Sequence, residues 1–363
     1  MIFSASFGEG HNTAARALEE SLTQLDPHCV VERVDLFREC YPKLERLAVQ
    51  CYLFLINDAP KVWSIVYRLF DTLSDDIGWL SFGKFLRRLQ QRLQPPPFAF
   101  VSTYPLYPFL LRKLYGDFAP APLHTIITDS ITINRFWHAV DCDSFLSPNQ
   151  ETTRVLLERG VSAEKIFTFG FPVSRRFADL QQHLKSDPCE EFRILYSINS
   201  GHHYARQIAQ KILEQPNIRL TVLTGRNTKL RAKLTRLARS YPQNCVVLGW
   251  TEEIPRLMGE HHLLVSKAGG ATTQEALAAA LPMVVPQLVP GQEEGNLRLL
   301  TQKGFGFYAA NADEVVEIIG RFRKNNCALW KEIRGKMITA ANPHAADKIA
   351  QHILEFPKKA TRG

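Results

Sequence analysis

A run of ten residues, SKAGGATTQE from Ser266 to Glu275, lies between an apolar segment and an alanine-rich one. Gly269 and Gly270 let backbone N–H groups approach a ligand closely, and Thr272 and Thr273 add hydroxyl donors; together they suit phosphate oxygens. Glu275 stands further along the same predicted helix, placed to accept hydrogen bonds from a ribose diol. A diphosphate and a ribose need those two functions close together, and this spacing supplies them. Downstream, Pro290-Gly291-Gln292-Glu293-Glu294-Gly295-Asn296 loads a tight turn with amide and carboxylate groups. Gln292, Glu293 and Asn296 are of the type that grips sugar hydroxyls.

Other clusters also sit between a predicted strand and a predicted helix. Ser197-Ile198-Asn199-Ser200-Gly201 offers small hydroxyl and glycine residues, with Ser200 a candidate for the same diphosphate; an ordinary helix cap has the same composition. Ser4-Ala5-Ser6-Phe7-Gly8-Glu9-Gly10-His11 sets two glycines and a histidine at a helix start. An imidazole there suits proton transfer near neutral pH, which makes His11 a candidate catalytic residue, although such a turn also occurs as plain structure. Asp129 closes the strand ending Thr128-Asp129. Open sheets keep functional carboxylates at that place, and helix-capping aspartates stand there too.

The elements that must position these residues alternate. Strand Ile2 to Ala5, the glycine turn, helix Asn12 to Gln24 and strand Cys29 to Val34 form a βαβ opening, so the class is α/β. Strands at Phe98 to Ser102 and His124 to Thr128 continue it. Residues 174–191 are polar and read as an inter-domain linker. A second alternating run follows, with strands at Arg193 to Ile198, Arg219 to Thr224, Cys245 to Leu248, Leu263 to Ser266, Met283 to Val285 and Phe307 to Ala309. Helices Ala312 to Lys324, Cys327 to Ala340 and Ala345 to Leu354 close the chain. The expected domains are residues 1–173, the linker 174–191, residues 192–340, and a helix with tail over 341–363.

Residues 43–93 break the alternation. Trp63, Tyr67, Phe70, Trp79, Phe82 and Phe85 are mixed with Lys61, Arg68, Lys84, Arg87, Arg88 and Arg92. Rings at headgroup depth with cations above anionic lipid make an interfacial surface. A helical insert whose aromatics fill the core has the same composition, and both readings stand.

The chain has 363 residues, enough for two cores, and a formal charge of +8 that favours an anionic partner. No zinc-finger spacing, RNA-binding aromatic motif or long basic tail is present, so nucleic acid is not the expected partner. The seven cysteines are scattered and form no CxxC pair, which fits a reducing compartment without a disulfide scaffold or metal site. No apolar run is long enough to span a bilayer, and the first residues carry no signal-peptide pattern. The expected location is the cytoplasm or the cytoplasmic face of a membrane, as a peripheral protein.

Taken together, SASFGEGH, TDSITINRFW, SKAGGATTQE and GQEEGN resemble the monogalactosyldiacylglycerol synthase and processive diacylglycerol glucosyltransferase family, which is related to the glycosyltransferase that forms lipid II. The resemblance runs through most of the chain. It implies two Rossmann-like domains facing across a cleft, the GT-B architecture, and a UDP-sugar donor with no tightly bound cofactor and no metal. His11 matches the family histidine of the first loop, and Asp129 the family aspartate. The loops Thr224-Gly225-Arg226-Asn227 and Gly249-Trp250-Thr251 match those that enclose the uracil, so Gly225, Asn227, Gly249, Trp250 and Thr251 join Ser200, Gly269, Gly270, Thr272 and Glu275 as expected donor contacts. GQEEGN matches the loop that binds the donor sugar.

Three positions depart from the family pattern. Asn134 stands where a histidine is usual, His262 where an aspartate precedes the SK pair, and Glu9 between the two N-terminal glycines. The first removes an ionisable group from the expected acid–base arrangement.

The resemblance implies an inverting glycosyltransferase moving a hexose from UDP-glucose or UDP-galactose to a diacylglycerol-like lipid acceptor at an anionic membrane surface. Alternatives are a related transferase with a non-glycerolipid acceptor, a UDP-sugar epimerase, and a non-catalytic nucleotide-sugar-binding protein.

Overall fold

The computed structural model describes the chain except residues 7–8, 60–61, 64, 66–82, 117–118, 181–186, 199–201, 290, 292 and 358–363. Two compact units emerge: Met1–Leu55, Lys61–Arg175 and Asn342–Gly363 form the first, and Ile56–Pro60 with Arg176–Ala341 the second.

The first unit is built on strands β1 (Ile2–Phe3), β2 (Arg33–Val34), β3 (Phe100–Ser102), β4 (Leu123–Ile126), β5 (Ser144–Ser147) and β6 (Ile166–Thr168). They form one six-stranded sheet in the order β2-β1-β3-β4-β5-β6, with every pairing parallel. Successive strand residues point to opposite faces, and the core divides accordingly. Phe3, Phe100 and Phe145 pack on one face with Tyr107, Leu110 and Trp137. Ile2, Val101, Ile126 and Leu146 pack on the other with Ala15, Leu18 and Leu22 of the helix Glu9–Leu25.

Ile349, Ala350 and Ile353 of the helix Ala345–Glu355 belong to that second cluster. The chain therefore ends by returning to its first unit. Asn342 Nδ2 donates to the carbonyl of Phe169, and Arg175 pairs with Asp347 at 2.6 Å, fastening both ends of the return.

The second unit contains β7 (Phe192–Ser197), β8 (Ile218–Leu223), β9 (Cys245–Leu248), β10 (Leu263–Ser266), β11 (Met283–Val285) and β12 (Gly306–Tyr308). Their order is β12-β11-β10-β7-β8-β9, again all parallel, which is the doubly wound arrangement of a dinucleotide-binding sheet. Within the polar 174–191 segment, Arg176–Leu180 is helical and belongs to this unit. The last long helix, Ala312–Ala340, is broken at Lys324–Cys327, where Asn325, Asn326 and Cys327 have φ of 51°, 53° and 55°. Asparagine tolerates that left-handed region better than most residues, so the break sits where the sequence permits it.

Of the basic and aromatic segment, Lys61, Tyr67, Arg68, Phe70, Trp79 and Phe82 lie outside the described residues. The helix Gly83–Arg92 corrects the interfacial reading of its own residues. Phe85 is buried in the core, Lys84 donates to the carbonyl of Cys40 at 2.6 Å, and Arg92 pairs with Glu32 and Glu39. Its cations are committed to neighbouring oxygens, because the helix docks its apolar face on the unit that carries those acids.

His262 is likewise structural. It is fully buried, its Nδ1 accepts from the N–H of Arg193 at 2.9 Å, and its carbonyl accepts from the Trp330 indole at 2.7 Å. It holds the entrance of β10 rather than facing a ligand.

Candidate active site

In open parallel sheets, ligands bind beyond the C-terminal strand ends where the strand order reverses. That point lies between β1 and β3 in the first sheet and between β7 and β10 in the second. His11 follows β1 at the first, and the Ser266–Glu275 run follows β10 at the second.

In the first unit, β1 leads to the glycine turn. The N–H and hydroxyl of Ser6 both donate to Asp35, at 3.0 and 2.7 Å, so the end of β2 fixes the start of that turn; Gly8 lies outside the described residues. His11, in the first helical turn of Glu9–Leu25, has Nδ1 at 2.7 Å from the carbonyl oxygen of Thr103 and 2.9 Å from Thr128 Oγ1. A carbonyl only accepts, so Nδ1 carries the proton and Nε2 is left as the basic nitrogen. Thr103 itself cannot drift, because its N–H and hydroxyl both donate to the carbonyl of Phe3. Tyr104 meets the His11 ring edge-on, with centroids 5.0 Å apart, and Trp137 lies at 6.1 Å.

Asp129 belongs to the same cluster. Its carboxylate accepts from Trp137 Nε1 at 2.8 Å. Burial holds its pKa above the usual carboxylate value, opposed by the charge of His11 and by the Trp137 hydrogen bond. Burial pushes His11 the other way, below 6.5, against the pull of Asp129 and of the Thr103 carbonyl. A neutral imidazole beside a carboxylate in a desolvated place is a general-base arrangement.

Asn134 stands where the resemblance leads one to expect a histidine, and it has a local role. Its Oδ1 accepts from the N–H of Phe136 at 3.0 Å and starts the short turn Arg135–Trp137. Asn134 therefore positions the indole that holds Asp129, and His11 supplies the imidazole. Between them, Ile131 has φ of 61°, with the N–H of Thr132 donating to the carbonyl of Ser130 at 2.7 Å. A β-branched residue in that region is strained, and such strain concentrates at functional sites. The helix Gln150–Glu158 enforces it: Thr152 Oγ1 accepts from the N–H of Ile131, and Asn149 donates to Ser130 Oγ.

In the second unit, β7 and β10 end together with Ser197 paired to Ser266. Ser200 lies outside the described residues. The helix Gly270–Ala278 has Gly269 as its N-cap and no side-chain hydrogen bond closing that end. Among the described residues no side chain caps its first-turn N–H groups, and with the positive end of the helix dipole they make an arrangement that binds anions. Ser266 Oγ and Thr273 Oγ1 are buried there without a partner among the described residues. Thr272 and Glu275 share the less buried face, one turn apart, while Ala271, Thr273, Gln274, Ala276 and Ala278 face inward. A turn rises about 5 Å, which matches the step from a diphosphate to a ribose.

Within GQEEGN, the described Glu293 and Asn296 have partners inside the protein. Gln292 lies outside the described residues. Glu293 is 2% exposed, pairs with Lys267 and accepts from the N–H of Val289 at 3.2 Å. Asn296 donates to the carbonyl of Ala268 at 3.0 Å. Both side chains tie the loop after β11 to the phosphate turn. Their turn residues pointed to a ligand, but the same polarity satisfies buried backbone groups.

The uracil-type loops stand at the ends of β8 and β9. Gly225 has φ of 52°, and a Cβ placed on Gly249 would lie 3.6 Å from its carbonyl oxygen, so the two loops adjoin. Trp250 is 50% exposed, with the guanidinium of Arg226 5.5 Å from its ring centre, and offers a stacking surface. Asn227 caps the helix Thr228–Ala238 by accepting from the N–H of Leu230, and Thr251 Oγ1 accepts from the N–H of Glu253. Asn227 is thus a helix cap, and Thr251 closes a local turn.

Sequence reasoning missed Lys267, whose neighbours in the motif drew the attention, and Thr103 and Tyr104, which lie 92 and 93 residues from His11 and carry no motif of their own. Only the β1–β3 pairing brings them there.

Comparisons with known proteins agree with this architecture. A processive diacylglycerol beta-glucosyltransferase of Bacillus thuringiensis (strain Al Hakam) is 25% identical over 372 residues, covering 98% of this chain and 93% of that protein. The crystal structure of Acinetobacter baumannii MurG superposes with a TM-score of 0.60 at 15% identity, covering 98% of this chain and 99% of that one. A Staphylococcus aureus MnaA–UDP co-structure does so with 0.59 at 13% identity, covering 97% and 94%. Such low identities establish the fold, which is GT-B: two Rossmann-like domains, here each with a six-stranded parallel sheet. Residues 11–173, the stretch that opens on His11 and includes Asp129, match the family model described as monogalactosyldiacylglycerol (MGDG) synthase.

Proposed function

We propose that this protein is an inverting glycosyltransferase that moves a hexose from a UDP-sugar to the hydroxyl of a diacylglycerol-like lipid. The observation that carries the reading is the β10 turn: an uncapped helix start with buried unpartnered hydroxyls and a lysine, one helical turn from Glu275, at the switch point of its sheet. In this reading the diphosphate meets the N–H groups of the first helical turn and the ribose diol donates to Glu275. The base stacks on Trp250.

The acceptor oxygen attacks the anomeric carbon, the bond from that carbon to the β-phosphate oxygen breaks, and UDP leaves. The hydroxyl proton passes to His11 Nε2. Negative charge grows on the β-phosphate as the bond breaks, and the helix dipole and Lys267 offset it. Asp129 stabilises the imidazolium that forms.

The acceptor class follows from the relatives, which are named as diacylglycerol glucosyltransferases, and from the MGDG synthase match. A membrane surface is the source of such an acceptor. Among the described residues no helix is long and apolar enough to cross a membrane. The helix Pro42–Asp58 instead exposes Leu44, Leu47 and Phe54, three and seven residues apart on one face, with Lys43 and Arg46 beside them. An apolar stripe flanked by cations suits attachment to the anionic face of a bilayer.

The donor reading is tested by calorimetry with UDP and 2′-deoxy-UDP. A hydrogen bond to a charged group contributes about 1.5–3 kcal/mol, so UDP should bind about tenfold or more tightly than its deoxy analogue. Glu275→Ala should erase that difference. Equal affinities in the unaltered protein would remove Glu275 from the ribose.

A further inference from the structure

Lys267 and Glu293 are 26 residues apart and meet across the β10–β11 pairing, one leaving each strand-end loop. Their side chains are 16% and 3% exposed. The pair sits against the N-cap of the helix Gly270–Ala278: a Cβ on Gly269 would lie 3.7 Å from Lys267 Nζ and 3.9 Å from Glu293 Oε1. The other carboxylate oxygen of Glu293 accepts from the N–H of Val289, and Glu294 accepts from the N–H of Gly291 at 3.0 Å. The N–H groups of Val289 and Gly291 are thus held by the two glutamates, and Glu293 is also held by Lys267.

A buried ammonium needs a nearby anion. Here it has a carboxylate at the mouth of an uncapped helix start whose own field favours a second anion. Two anions competing for one cation make an exchange, and the exchange links whatever brings the second anion to the loop that owns the first.

We infer that Lys267 is a donor-binding residue that changes partners when the donor arrives. Resting on the donor reading above, the inference assigns to Lys267 the charge of the diphosphate and to Glu293 a second position. Without a nucleotide the two neutralise each other. When a nucleoside diphosphate enters, its oxygens take over the ammonium, and Glu293 Oε1 is released toward the hydroxyls of the hexose while Oε2 keeps the N–H of Val289. Donor binding thereby prepares the sugar loop, and a lone nucleoside does not.

The test is calorimetry of the whole chain with UDP and with uridine, which lacks phosphate, for the unaltered protein, K267M, K267R and E293Q. None of the three substitutions changes side-chain length much, and Glu293→Gln keeps an oxygen for Val289. Lys267→Met should weaken UDP about tenfold or more and leave uridine unchanged, with Lys267→Arg within about threefold of the unaltered protein. Glu293→Gln should tighten UDP about threefold or more, because the ammonium no longer has to leave a carboxylate. In steady-state assays Glu293→Gln should lower kcat rather than raise KM for the UDP-hexose.

An unaltered UDP affinity in K267M, or an equal loss for UDP and uridine, overturns the exchange. So does weaker UDP binding in E293Q, which would make the pair a fixed strut. If the unaltered protein binds uridine and UDP equally or neither, the donor reading itself falls and the exchange with it; binding of UDP by the unaltered protein alongside an indifferent K267M removes the exchange alone.

Discussion

His11 is held through Nδ1 by the carbonyl of Thr103, in surroundings that disfavour its charged form. Removing a general base of this kind lowers turnover by about 10²–10⁴-fold, so His11→Ala should lose that factor in kcat while UDP affinity stays unchanged. The pH dependence has a definite sign. Only neutral His11 accepts the proton, and burial depresses its pKa below 6.5, so the rate should rise with pH through a value under 6.5 and then level off. The charge of Asp129 works against that depression. Asp129→Asn should therefore move the acidic limb of kcat/KM to lower pH, as well as lowering its plateau; a limb that moves upward contradicts the pairing. Stability follows the same logic. The unfolded chain protonates His11 first as pH falls, so the contribution of the neutral ring is complete above 6.5 and is lost toward the lowered folded value. Asp129 has the opposite sense: the folded chain keeps its proton to higher pH, and ionisation above the normal carboxylate value weakens folding. The positions of His11 and Asp129 were legible because strand ends followed by a glycine turn or an acid have a known use. Asn227 looked similar and is a cap, since a side chain that satisfies a helix start and one that binds a ligand are the same residue types.

At the scale of elements, the two helix starts that matter differ in how they are closed. Asn149 caps its helix by accepting from the N–H of Thr152 at 2.8 Å, whereas Gly269 leaves its own bare, and the bare one stands at a switch point. That contrast was readable from residue type alone: asparagine before one helix, glycine before the other. The partner of Lys267 was not, because Glu293 reaches it only through the crossover between β10 and β11. The helix Ala345–Glu355 teaches the same lesson at longer range. Its apolar residues, at 345, 346, 349, 350 and 353, announced an amphipathic helix, but the surface they cover is made by Leu18 and Leu22 more than 300 residues earlier. Ile349 is fully buried there, and deleting its side chain costs about 2–5 kcal/mol. Ile349→Ala should lower the denaturant midpoint correspondingly; a change below about 0.5 kcal/mol, the scale of a surface site, would mean the helix is not docked.

For the whole molecule, both alternating halves were legible from their strands and turns, whereas the order of strands within each sheet comes from the pairings alone. The insert was read less well. Its composition served core and bilayer equally, and the described helix Gly83–Arg92 turned its cations to Glu32, Glu39 and the carbonyl of Cys40. The membrane prediction now belongs to the helix before it. Leu44→Glu with Phe54→Glu changes residues that are 60% and 59% exposed, so folding should survive. Binding to anionic phospholipid vesicles in a flotation assay should fall about tenfold or more, because two apolar contacts of about 1 kcal/mol or more each are lost and two like charges are added; unchanged flotation would place the lipid contact elsewhere. Purified protein should be incubated with labelled UDP-glucose or UDP-galactose and vesicles containing diacylglycerol, and the lipid product identified by mass spectrometry and its anomeric configuration by NMR. The account predicts a diacylglycerol carrying added hexose with the configuration at the anomeric carbon reversed from that of the donor. Label recovered only as free or epimerised sugar, or a lipid product that keeps the donor's configuration, would contradict it.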